Sequence, residues 1–129
     1  MVFVDSNLPT HGNSFLAEWS DAGRAKVVAE IAANNGYWPP LPPEDYVRHE
    51  LTDAQITRIV SRSTPHPGAT LTEPAILNCP LDALPATYVT CTATPPEAAA
   101  HWQLVELNTG HWPMFSRPRE LARLLIDRG

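Results

Sequence analysis

The 129-residue sequence has no run of lysine or arginine, and its formal net charge is −5. Because nucleic-acid binding needs clustered cations, the sequence excludes that class of partner, and it gives no reason to expect an anionic membrane as a partner. No stretch approaches 18 consecutive apolar residues, so we expect no membrane span. The first residues, MVFVDSNLP, lack the basic and long apolar segments of a secretory leader, and we therefore expect a cytoplasmic protein.

Metal and cofactor signals are also scarce. The two cysteines, Cys79 and Cys91, do not have the spacing of a metal site, and we expect two reduced thiols, with a disulfide as the alternative. No pair of the five histidines has zinc-site spacing, and the chain contains no glycine-rich phosphate loop. The sequence therefore predicts no metal and no cofactor.

The first half of the chain predicts one short strand and two helices. Hydrophobic residues make up 43% of the sequence and charged residues 18%, which bounds it to one globular domain at most. Val2-Phe3-Val4 has strand character, and apolar residues at helical spacing predict a helix from about 21 to 34. The proline-rich stretch 37–43 predicts an extended linker or loop. Thr52 and Gln55 form a capping-box pattern that predicts a second helix.

The last third alternates strand, loop, strand, loop and helix. The strands are predicted at 86–91 and 103–107, and the helix at 118 to about 128, with Pro118 in its first turn. Strands that alternate with helical segments favour an α/β fold with a parallel sheet. The two central helices interrupt this order, so they are interpreted as an inserted lid or cap.

Four motifs in this order resemble the C-terminal half of an α/β-hydrolase. They are a first strand reading Val2-Phe3-Val4-Asp5, a cap-to-sheet link at 65–77, a Leu84-Pro85 pair introducing the next strand, and Gly110-His111 ahead of the closing helix. The resemblance implies a partial α/β-hydrolase fold with about three parallel strands, a C-terminal helix and a helical cap insertion. It implies one partial domain over 1–129, with 10–70 as the cap and 84–129 as the C-terminal strand and helix part.

His111 is the candidate catalytic base. A loop at the carboxyl end of a strand gives a histidine a rigid support and an exposed ring nitrogen, and the family's final strand is followed by a Gly-His pair. The other histidines, His11, His49, His66 and His101, are interpreted as solvated side chains.

Two carboxylates remain open as the acid partner of His111. The family's acid usually follows the penultimate strand, where Glu97 is the available carboxylate. Asp5, at the end of the first strand, is the alternative, because some lipase-like members carry the acid there. An aspartate at such a position also often caps the next turn through its own side chain.

The family's G-x-S-x-G nucleophile elbow is absent from the sequence. Ser14 has a glycine two residues before it, but neither a second glycine nor a preceding strand, so it is a poor candidate. We expect the C-terminal portion of an esterase-like hydrolase that supplies the histidine, without its nucleophile and oxyanion donors, and is inactive alone. The alternatives are a subunit of a split hydrolase and a non-catalytic binding module with a remnant of the fold.

Aromatic residues in the cap and beside His111 suggest a small hydrophobic ester-like substrate. Trp112, Met114 and Trp38 are the predicted substrate contacts, although aromatic side chains at such positions often pack against a sheet instead. The predicted partners are an N-terminal hydrolase half or a second copy of the chain, joined through an open sheet edge.

Overall fold

The computed structural model describes residues 1–92 and 101–128. Two short 3-10 helices, Pro43–Tyr46 and Leu81–Ala83, accompany the main elements. In chain order these are β1 (Val2–Val4), α1 (Asp21–Ala33), β2 (Tyr37–Trp38), α2 (Asp53–Arg62), β3 (His66–Pro67), α3 (Ala69–Thr72), β4 (Thr87–Thr90), β5 (Gln103–Glu106), α4 (Pro113–Ser116) and α5 (Pro118–Arg128).

Strands β1, β4 and β5 form a parallel sheet with β4 in the centre. Val4 lies opposite Val89, and Val89 lies opposite Val105, so the carboxyl ends of all three strands meet at one edge. Tyr88 and Val89 are almost fully buried, as a central strand with both faces covered requires. The predicted parallel arrangement is confirmed.

Alternation along β4 places apolar side chains on both faces of the sheet. On one face Tyr88 packs with Trp102, whose indole stacks on Phe3 at a ring-centroid distance of 5.2 Å. On the other face Val89 packs with Leu121 of α5. Full burial of such a side chain contributes about 1.5–3 kcal/mol to the stability of the fold. The stability of this small sheet therefore depends on the apolar side chains that cover both of its faces.

Another apolar cluster is built on Leu16, Val27 of α1 and Leu71 of α3, and Trp38 of β2 packs against it. The stretch 37–43 was predicted as a linker or loop, but its first two residues, Tyr37–Trp38, pair antiparallel with His66–Pro67. This pairing is compatible with proline because, among the described strands, β3 pairs with β2 alone and is therefore an edge strand.

Helix α2 begins with the predicted capping box. The Thr52 hydroxyl accepts the backbone N–H of Gln55, and the Gln55 side chain accepts the backbone N–H of Thr52. Its buried residues Ile56 and Ile59 pack on Tyr46, and Trp112 joins the same cluster. The segment before and along α2 is thereby attached to the loop that follows β5.

Both cysteines are free thiols, as predicted, with Cys79 exposed and Cys91 half-buried. Over residues 1–92 and 101–128, no group of three or more histidine, cysteine or acidic side chains is arranged to hold a metal ion. In the same part of the chain, none of the helices combines the length and apolar character needed to cross a bilayer.

Candidate active site

Asp5 lies directly after β1 and is buried, with its side chain fully excluded from solvent. Its backbone N–H donates to the carbonyl of Val89 at 2.7 Å, which continues the ladder between β1 and β4 by one residue. Its φ of 44° lies in the left-handed region, which aspartate tolerates better than most residues. This conformation ends the strand and directs the carboxylate along the carboxyl edge of the sheet.

The carboxylate of Asp5 is held by groups that follow β4. Oδ1 accepts the backbone N–H groups of Cys91 at 2.8 Å and Thr92 at 2.9 Å. Oδ2 accepts the Thr92 hydroxyl at 2.6 Å. These charge-assisted hydrogen bonds offset the cost of burying a carboxylate and fix its orientation.

His111 lies beside this carboxylate. Its Nδ1 is 2.7 Å from Asp5 Oδ2, and its side chain is 46% exposed. Because an ionised carboxylate only accepts, Nδ1 carries the proton and Nε2 of the neutral ring is left as the acceptor. Within the described residues Nε2 has no hydrogen-bond partner. Of the two carboxylates left open by the sequence, Asp5 is the one that the structure places against His111, and Glu97 lies outside the described residues.

The loop that carries His111 is held at its start by Thr109. This residue is buried, and its hydroxyl shares a hydrogen bond of 2.5 Å with the hydroxyl of Ser116 in α4. The backbone N–H of Phe115 donates to the carbonyl of Trp112, and α4 begins at Pro113, two residues after His111. The short helix therefore gives the histidine loop a fixed exit.

The segment around α2 contacts the same loop, through a residue that the sequence analysis treated as solvated. His49 is half-buried, and its Nδ1 accepts the backbone N–H of His111 at 3.1 Å. Tyr46 packs on Trp112 with ring centroids 5.3 Å apart, and Gln55 Nε2 donates to the carbonyl of Phe115 at 2.7 Å. The interpretation of His49 was wrong because a contact between positions 62 residues apart has no local sequence signal.

Gly110 permits this approach. A Cβ added there would lie 2.4 Å from the Cα and 2.5 Å from the carbonyl oxygen of His49, and these are backbone atoms that a rotamer change cannot move. We expect Gly110→Ala to lower the free energy of unfolding by about 1–3 kcal/mol, measured by urea unfolding. Gly23→Ala in α1 is the matched control, since the nearest atom to a Cβ added there is a side-chain atom, the Ser20 hydroxyl oxygen, at 3.2 Å. Equal stability of the two variants would contradict the close contact.

Two other ionisable groups near Asp5 are held in their neutral forms. Burial, and then the charge of Asp5, raises the pKa of the Cys91 thiol to about 11. The same two causes, in the same order, raise the pKa of Tyr88, whose hydroxyl donates to the carbonyl of Ser6. Since a thiol is nucleophilic only as the thiolate, Cys91 is unsuited to act as a nucleophile at neutral pH.

The three residues predicted to contact the substrate do not lie together. Trp112 is half-buried against Tyr46 and edge-on to His111, and Met114 is 47% exposed in α4. Trp38 instead packs with the cluster of α1, and its indole donates to Glu30 at 2.9 Å. The structure thus places Trp112 beside His111 and assigns Trp38 to a different cluster.

Ser14 does not contact His111; in the described residues no serine or cysteine side chain hydrogen-bonds this histidine. Ser14 instead lines a cavity of about 610 Å³, together with Asn7 and Leu8, and neither Asp5 nor His111 is among the described residues that line it. Phe15 and Trp19 contribute aromatic walls to this cavity. Trp112, Met114 and Trp38 are not among the described residues that line it.

A search of solved structures gives a match to an α/β-hydrolase. The matched chain is described as an extracellular α/β-hydrolase from a Paenibacillus species that shares structural and functional homology with tobacco salicylic acid binding protein 2. The TM-score is 0.78 at 21% sequence identity, and the alignment covers 99% of this chain and 60% of the other. The part of the chain that the structure describes therefore has an α/β-hydrolase fold, and the chain spans about three fifths of the matched structure. No protein-family model and no curated protein sequence matches it.

Proposed function

We propose that this chain supplies the catalytic histidine and its acid partner to an esterase-like α/β-hydrolase. The observation that carries the proposal is the pair formed by His111 Nδ1 and the buried Asp5 carboxylate at 2.7 Å, with Nε2 open on a half-exposed ring. In this arrangement Asp5 selects the tautomer and orients the ring, and Nε2 is available as the general base.

The proposed reaction is hydrolysis of an ester through an acyl-enzyme. A serine oxygen bonds to the ester carbonyl carbon while its proton passes to Nε2 of His111, and the charge of Asp5 stabilises the imidazolium that forms. The imidazolium then returns the proton to the alcohol oxygen as the carbon–oxygen bond to the alcohol breaks. A water oxygen then bonds to the acyl carbon while its proton passes to the same Nε2. The bond from this carbon to the serine oxygen breaks, and the imidazolium returns the proton to that oxygen, which releases the acid and restores the serine.

The nucleophile is proposed to come from outside this sequence. The sequence has no G-x-S-x-G motif, and Cys91 is kept as a neutral thiol. Strand β1 lies at one side of the sheet and pairs with β4 alone among the described strands, so its other side can accept a further strand. We propose that this chain is the C-terminal part of the hydrolase, with 10–70 as its cap and 84–129 as its last strands and helix. In a split hydrolase the missing part would be a separate polypeptide.

The proposed substrate is a small hydrophobic ester. The cavity that Ser14 lines has apolar walls from Leu8, Phe15 and Trp19, which suit an acyl or alcohol group of modest size. Self-association through β1 is the alternative to pairing with an N-terminal half, because either partner would cover the same strand edge. The cytoplasmic location stays a prediction.

The proposal is tested by joining this chain to an α/β-hydrolase N-terminal part that carries a G-x-S-x-G elbow, as one joined protein or by co-expression, with short-chain p-nitrophenyl esters as substrates. We expect this 129-residue chain alone to match the buffer rate, and the two parts together to hydrolyse the ester. Hydrolysis by the chain alone that disappears in Ser14→Ala would identify Ser14 as the nucleophile instead. Inactivity of a joined protein that contains a G-x-S-x-G elbow would contradict the esterase proposal.

A further inference from the structure

The imidazole of His49 serves as a hydrogen-bond acceptor for the backbone of the histidine loop. Its Nδ1 lies 3.1 Å from the backbone nitrogen of His111, and the two rings are 6.1 Å apart between centroids. An imidazole nitrogen that accepts a hydrogen bond carries no proton, so the ring of His49 has its proton on Nε2. His49 thus satisfies a backbone donor within the loop that presents His111.

The backbone of His49 is held in place from both sides of the residue. Its own N–H donates to the carbonyl of Tyr46 at 3.2 Å, and Tyr46 is buried on α2. On the other side, Gly110 approaches its Cα and carbonyl so closely that no side chain fits between them. Arg117 contacts Glu50, the next residue, at 3.5 Å. The backbone that carries the acceptor is therefore fixed relative to Tyr46 and Gly110.

We propose that His49 is a positioning residue, which holds the backbone of His111 so that its Nδ1 stays on Asp5. The catalytic consequence of this role rests on the proposed function, whereas the geometric role does not. When the acceptor is lost, the His111 amide loses its partner and the loop gains freedom to rotate. If the ring rotates away from Asp5, the carboxylate no longer holds the proton on Nδ1, and Nε2 is no longer kept free to act as the base.

Two substitutions separate the acceptor from the bulk of the side chain. Asn places a carbonyl oxygen close to the position of Nδ1, so His49→Asn can keep the hydrogen bond. Gln places its amide one carbon further out, near the position of Nε2, so His49→Gln removes the acceptor while keeping a polar side chain. His66→Gln, at the exposed β3, is the control for replacing a histidine elsewhere.

The test measures amide hydrogen exchange at His111 and the ¹⁵N and Nδ1–H signals of its ring by NMR, on the full 129-residue chain. We expect His49→Gln to speed exchange of the His111 amide about tenfold or more and to weaken the Nδ1–H signal. His49→Asn should stay within about threefold of the unsubstituted chain. Urea unfolding of each variant shows whether the fold is retained.

An unprotected His111 amide in the unsubstituted chain would overturn the proposal, as would a folded His49→Gln variant with unchanged signals. If His49→Gln unfolds, the proposal is decided by His49→Asn, which must keep both signals. No ester is used, so a failure of the proposed hydrolysis leaves this result unchanged. Conversely, the joined enzyme could be active while His49→Gln leaves the amide exchange and ring signals of His111 unchanged. That result would overturn only the positioning role.

Discussion

His111→Ala is expected to lower ester turnover about 10⁴-fold or more in the joined hydrolase, the proposed protein in which this chain is combined with an N-terminal part that carries the serine. The substitution removes the proposed general base, while Asp5 keeps its hydrogen bonds to Cys91 and Thr92. Because the His111 side chain is 46% exposed, its loss should leave the fold intact, which circular dichroism and urea unfolding can check. The measurement is the initial rate of p-nitrophenyl ester hydrolysis at saturating substrate.

His66→Ala is the matched control, since His66 is exposed and its described side-chain contact is a hydrogen bond to Thr70. It should retain activity within about threefold, as expected for an exposed side chain away from the site. Turnover that survives in His111→Ala would contradict the role of this histidine. Equal losses in the two variants would point to a general effect of replacing a histidine.

Asp5→Ala is expected to lower the free energy of unfolding of the 129-residue chain by about 3–5 kcal/mol. It leaves the backbone N–H groups of Cys91 and Thr92 without their described acceptor and removes the partner of His111. Alanine also tolerates a φ of 44° poorly, which adds to the loss. Urea unfolding followed by tryptophan fluorescence measures the change.

Asp5→Asn separates the charge from the shape of this side chain. Asparagine tolerates the left-handed backbone and keeps one oxygen for the N–H groups, so we expect a smaller stability loss, about 1–2 kcal/mol. In the joined enzyme it should still reduce turnover about 10³- to 10⁴-fold, because the amide no longer selects the tautomer of His111. If Asp5→Ala and Asp5→Asn lower the free energy of unfolding equally, the hydrogen bonds of Asp5 do not stabilise the carboxyl edge of the sheet.

The sequence alone predicted the three longer helices and the three strands of the parallel sheet, but not β2, β3, α3 and α4. The β-branched and aromatic runs predict β1 and β4, apolar residues at helical spacing predict α1 and α5, and the Thr52–Gln55 capping box predicts the start of α2. Each of these signals acts between residues a few positions apart, and the structure confirms them with small changes at the ends. The alternation of strands with helical segments along the chain predicted that the strands pair in parallel, as they do.

The composition of the candidate site depended on the tertiary structure. The sequence left Asp5 and Glu97 open as the acid, and only the register of β1 against β4 brings Asp5 across a separation of 106 residues to His111. His49 was treated as solvated because its contact is made by a backbone N–H 62 residues away. Local propensity predicts where strands and helices begin, but which side chains meet at a sheet edge is decided by packing between distant segments, and no local pattern encodes it.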